Sequence, residues 1–198
     1  DYLRKLLEII YKILNSNKIE YSTFCYAIKS IHHILDRWDD IDPSVLEVID
    51  EKITPVFYAI ASECFKTKEN RILNSILRYL YHLSDVPVEF GQLILASIAN
   101  INNVEKSQNA KTFKLAAKVF QKNVETWLPE LQEIFLEIML TKCQFVPYDI
   151  KGHVFSAVLL YYNCSFGVID QFMPTIIEWC LEFVGDQKYT TRALQQLY

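Results

Sequence analysis

Apolar residues recur three or four positions apart along almost the whole chain, and little interrupts that rhythm. The 198 residues include only four glycines and six prolines. Hairpins and crossovers consume turn residues, because Gly, Pro and Asn are what let the backbone reverse. A chain this poor in them folds most readily as long helices joined by short turns. The periodicity agrees, since spacings of three and four place side chains on one face of an α-helix.

The first segment carries Leu3, Leu6, Leu7, Ile10, Ile13 and Leu14 on one face and ends at Asn15-Ser16-Asn17. The second carries Phe24, Ala27, Ile28, Ile31, Leu35 and Trp38. After Pro43 the pattern runs through Val45, Leu46 and Ile49, past Pro55, to Phe65; the proline marks a kink or a new helix. Ile72, Leu73, Ile76, Leu77, Leu80 and Leu83 form the next face. Ser84-Asp85-Val86-Pro87 reads as a stop followed by a start. Further faces begin at Phe90, Phe113, Leu131, Ile150 and Ile176. The one opened by Pro129 comprises Leu131, Ile134, Phe135 and Ile138, and a later one Ile176, Ile177, Cys180, Leu181 and Val184. Leu77, Leu80, Phe120, Phe135, Val158 and Ile177 are expected in the core, and no strand is expected.

About ten helices result, grouped by short connections into antiparallel pairs over 1–40, 44–84, 87–124, 129–163 and 170–198. The prolines that open such stretches, Pro55, Pro87, Pro129 and Pro174, are 32, 42 and 45 residues apart. Intervals near ~40 residues match units whose helix pairs cannot bury an apolar face alone and stack on the next pair. The predicted fold is all-α, a right-handed α-solenoid of about five antiparallel pairs in one segment, 1–198. The chain opens on Asp1-Tyr2-Leu3 and stops at Leu197-Tyr198, each inside a periodic stretch, which reads as a segment of a longer protein.

The stretch from Pro174 to Leu197 resembles a HEAT repeat. A proline opens the first helix, Asp186 ends the turn, and Arg192 follows six residues later; Pro174 lies about a helical turn too far upstream. The resemblance implies that Asp186 and Arg192 join a ladder tying neighbouring turns together. The other units keep the proline and the apolar spacing but lose the Asp and Arg. That divergence is similar to the repeats of nuclear transport receptors of the importin-β superfamily, which wrap basic cargo and a small GTPase and touch Phe-Gly repeats. A HEAT scaffold subunit of a chromosome, kinase or ribosome-assembly complex is the alternative.

No apolar run reaches the ~18 residues of a membrane span. The five cysteines, Cys25, Cys64, Cys143, Cys164 and Cys180, form no CxxC pair, and their apolar neighbours fit reduced core thiols in the cytosol or nucleus.

Nothing in the sequence assembles an active site. Gly91, Gly152, Gly167 and Gly185 are isolated, so no phosphate loop or nucleophile elbow exists. His32 and His33 point about 100° apart on a helix, whereas a zinc helix wants two histidines one turn apart. His32 reaches Asp36 one turn later, as an ordinary surface contact. The reading is therefore no enzyme, with no catalytic, metal or cofactor residues and no small-molecule substrate.

Two charged features point to protein partners instead. Residues 36 to 51 hold Asp36, Asp39, Asp40, Asp42, Glu47, Asp50 and Glu51 against Arg37, a balance of −6 in a chain of net charge −4. Several of these acids fall near helix starts, where the macrodipole favours them; Asp39, Asp40, Asp42 and Glu47, with Trp38 beside them, also suit a basic peptide or cargo. Lys111, Lys114, Lys118 and Lys122 line one helical face, and Glu130, Glu133 and Glu137 line the next helix. The lysines serve as a solvated or self-paired ladder, or as a strip for an acidic partner. An acidic chain argues against nucleic acid as the main ligand.

Overall fold

The computed structural model describes residues 2–16, 19–37, 41–65, 70–83, 85–103, 107–123, 126–127, 129–142, 148, 151–152, 155, 173–183 and 185. All regular secondary structure among them is helical, with no strand, and no helix is long and apolar enough to cross a membrane. The chain divides into two compact units, 1–84 and 85–198. The division falls between the second and third predicted pairs.

In the first unit, α1 (Tyr2–Leu14) is followed by α2 (Tyr21–Arg37), α3 (Pro43–Val48), a π-helical segment (Ile49–Ile53), α4 (Thr54–Cys64) and α5 (Asn70–His82). Pro43 opens α3 at a position where no amide donor is needed, and the Asp42 carboxylate accepts from Ser44 N–H at 2.9 Å. The sequence left Pro55 as a kink or a new start. The chain in fact stays helical through it, and the preceding turn widens. In an α-turn the ring of Pro55 would press on the carbonyl four residues back and leave it without a donor. The π segment loosens that turn, and Thr54 N–H bonds to the Ile49 carbonyl five residues earlier.

Phe57 is the centre of this unit. It is fully buried, stacks near Phe24 at 5.9 Å between ring centroids, and meets Tyr79 at 4.3 Å. The Tyr79 hydroxyl lies 3.3 Å from Thr54 Oγ1. α2 packs on α5, and α1 packs on α2, α3, the π segment and α4. Burial pushes the Tyr79 hydroxyl up to about 12, and burial, with Cys25 and Glu63 nearby, pushes the Cys64 thiol up to about 11. Both groups hold their protons more tightly folded than unfolded, so their contribution is complete below about pH 9 and is lost as pH rises through the folded values. The urea midpoint of this unit should therefore fall between about pH 8 and pH 11. A midpoint that stayed level would mean that neither group is held away from water.

The second unit contains α6 (Val88–Ala99), α7 (Ser107–Lys122), α8 (Pro129–Lys142) and α9 (Met173–Phe183). Trp127 is its anchor. It is buried, donates from Nε1 to the Val86 carbonyl at 2.9 Å, and its own carbonyl accepts from Gln132 Nε2 at 3.0 Å. Gly91 of α6 makes room for it: a β-carbon there would stand 3.2 Å from the indole and 3.1 Å from Leu131. Phe120 and Phe135 stack at 4.2 Å with 8° between their planes, and the Trp127 ring meets Phe120 edge-on at 4.6 Å. Lys142 donates to the carbonyls of Ala99 and Ile101, placing a cation at the negative end of α6. Near α9, Phe155 and Tyr148 pack on Phe183, Phe155 also meets Trp179, and Lys151 pairs with Glu182 at 2.7 Å.

Leu77, Leu80, Phe120 and Phe135 are fully buried, as the periodicity requires. Ile177 is not: it is 51% exposed, and Leu181 is 71% exposed. The buried arc of α9 is Ile176, Trp179 and Phe183, and Ile177 sits about 100° off it. Two large aromatics bury more apolar surface than Ile177 and Leu181 can, so they set the face. The same displacement exposes Ile134 in α8, where Leu131, Phe135, Leu136, Met139 and Leu140 are buried, and Ile13 and Leu46 in the first unit. Val158 lies outside the described residues.

Candidate functional site

The acidic run divides by role. Asp42 caps α3, and its carboxyl is held below its ordinary range, first by the Ser44 backbone N–H and then by the Ser44 hydroxyl. Asp36 is held by two histidines. Glu47, Asp50 and Glu51 are exposed, three and four residues apart across α3 and the π segment. Trp38, Asp39 and Asp40 lie outside the described residues, as do Asp186 and Arg192 of the HEAT-like motif.

Lys111 and Lys122 are exposed and Lys114 and Lys118 half-buried, on the side of α7 opposite its apolar stripe of Ala110, Phe113, Ala117 and Phe120. Glu130, Glu133 and Glu137 likewise stand opposite the buried stripe of α8. The two helices meet through Phe120 and Phe135. The charged stripes lie on the sides of α7 and α8 away from this aromatic contact.

Of the five cysteines, Cys25 and Cys64 are buried free thiols. A thiol whose proton is held up to about 11 by burial is a poor nucleophile.

Among the described residues, a group of three titratable side chains joins α2 to α5. His32 Nδ1 donates to Asp36 Oδ2 at 2.8 Å, one turn along α2. His82, in the last turn of α5, places Nε2 3.3 Å from Asp36 Oδ1. The two imidazoles meet edge to face, with centroids 4.5 Å apart. The helices bring them together through the buried stripes Phe24–Ile28–Ile31 of α2 and Ile72–Ile76–Leu80 of α5. Side-chain exposure is 21% for His32, 19% for His82 and 44% for Asp36, so the cluster lies at the surface.

The sequence showed the His32–Asp36 step but not His82, which is 46 residues beyond Asp36. No local spacing could have found it. A signal did exist: His82 closes a strongly one-sided helix, directly before Leu83, where a side chain on the edge of the apolar face points along the neighbouring helix.

Compared with known proteins, the chain matches no family model, no curated protein and no solved structure.

Proposed function

We propose that the chain is a protein-binding segment of a right-handed α-solenoid built from antiparallel helix pairs, without catalytic activity of its own. The order in which helices pack carries this reading. In residues 1–84 the first helix, α1, lies against its partner α2 and against the α3–π–α4 run that opens the next pair, while the second helices, α2 and α5, lie against each other. In residues 85–198 the same order holds for α6, which lies against its partner α7 and against α8. First helix on first and second on second is how helix pairs stack into a solenoid, each pair covering a face its neighbour cannot bury alone.

Such stacks bind proteins along exposed faces. α1 carries a second stripe outside its buried one, with Tyr2 82%, Ile9 55% and Ile13 38% exposed. Exposed apolar rows of this kind suit protein contact. The exposed acids Glu47, Asp50 and Glu51 supply charge for a basic partner. In its finest form the reading is a segment of a nuclear transport receptor, supported by the sequence resemblance of residues 174–197 and by this acidic edge.

The acidic edge is tested with a fluorescent peptide rich in Lys and Arg. Exposed ion pairs contribute about 0–1 kcal/mol each. Replacing Glu47, Asp50 and Glu51 by Gln, Asn and Gln should therefore weaken binding about tenfold at low salt, and by less at moderate salt. Asp42 is left in place because it caps α3. Equal affinity for both proteins at both salt levels would mean that the edge serves helix ends and solubility alone. Binding of the full-length protein to Phe-Gly repeats tests the receptor assignment.

A further inference from the structure

We propose that His32, Asp36 and His82 form a binding site for a divalent transition-metal ion of the zinc class, which pins α2 to α5.

Three donors converge from two helices. Taking one ligand atom from each of His32, Asp36 and His82, all three lie within 4.8 Å of one another. Bonds of about 2.0–2.2 Å to nitrogen and oxygen set ligand atoms of a tetrahedral zinc roughly 3.3 Å apart. The observed 2.8 Å and 3.3 Å separations fall close to that value, so small side-chain rotations suffice. The ion replaces two N–H···O bonds by three bonds to metal. Each neutral ring moves its proton to its other nitrogen, Nε2 of His32 and Nδ1 of His82, so neither ring need lose a proton.

The donor set selects the class of ion. Two imidazoles and one carboxylate suit zinc and its first-row neighbours, whereas calcium and magnesium prefer all-oxygen sites. Asp36 also begins the run of seven acids, whose field concentrates cations nearby. The remaining coordination position faces water, because all three side chains are partly exposed. The site is a mineral counterpart of the apolar contact beneath it: the second helices of successive pairs, held by packing along their length, are tied at their ends.

The inference stands apart from the protein-binding proposal, since it concerns the free chain. The purified protein is stripped with a chelator and titrated with Zn²⁺ by calorimetry. Co²⁺ is used in parallel, because its visible absorption reports nitrogen and oxygen ligands. One ion per chain, bound in the micromolar range or tighter, is expected, with a thermal midpoint that rises on adding Zn²⁺ and returns with chelator. Loss of a ligand should cost more than loss of a supporting group, so His82→Gln should weaken binding at least ~100-fold and abolish the Co²⁺ absorption. His33→Gln, next to the site but outside it, should bind as before. His32→Gln gives the same answer should His82→Gln fail to fold. Either of two results would overturn the proposal: no uptake of Zn²⁺ by the folded protein, which leaves a His–Asp–His hydrogen-bond cluster, or undiminished uptake by both glutamine variants, which places the ion elsewhere.

Discussion

Phe135→Ala should cost about 3–5 kcal/mol of stability, read as a lowered urea midpoint. The ring is fully buried and lies flat against Phe120, which in turn receives the edge of Trp127. Removing it opens a cavity walled by two aromatic rings. Rings held by their own partners relax poorly into a void, which favours the upper part of that range. Trp127 adds a second readout. Its indole is fixed by the bond to the Val86 carbonyl, so a loosened Phe120 should shift its emission to longer wavelength before the protein unfolds. A loss below about 1 kcal/mol would mean that the neighbouring side chains close the gap.

Phe57→Ala should have a comparable effect on residues 1–84, again about 3–5 kcal/mol. Phe57 touches Phe24 of α2 and Tyr79 of α5, so one side chain joins three helices. Phe57→Leu separates volume from shape. It restores most of the apolar contact and should recover more than half of the loss, with the remainder assigned to the ring packing against Tyr79. If Leu and Ala behaved alike, the aromatic contacts would matter more than the volume.

How legible the fold was in the sequence depended on how one-sided each helix is. In α5, Ile72, Leu73, Ile76, Leu77 and Leu80 are apolar and the opposite side is polar, and all five are buried, as is Leu83 just after the helix. In α8 and α9 apolar residues occur at almost every angle. Spacing then says that a helix forms but not which side turns inward, and Ile134, Ile177 and Leu181 come out exposed. Large aromatics settle the choice, and their weight is not contained in a count of apolar positions. The His–Asp–His cluster was half legible for a related reason. His32 and Asp36 are one turn apart on a single helix, which spacing reveals. Their meeting with His82 depends on the packing of α2 on α5, a contact between residues far apart in the chain. Gly91 shows the same limit: an isolated glycine carries no motif, yet its missing side chain is what admits Trp127.

The widened turn at Ile49–Ile53 has a consequence for the phase of the helix that runs through it. Each residue of an α-helix advances by about 100°, and an uninterrupted α-helix from Val45 to Cys64 would spread its apolar residues well around the axis. A π-turn takes up more residues per revolution, which turns the downstream stretch back toward where the upstream stretch began. Val45 and Val48 before the turn, and Ile49, Ile53, Phe57, Ala61 and Cys64 within and after it, are thereby all buried. The segment acts as a gear correction between two helices cut to different registers. Removing a single residue from it would close the wide turn to an α-turn in the same phase, so Phe57 would keep its face toward Phe24 and Tyr79 while Pro55 would press on the carbonyl four residues back.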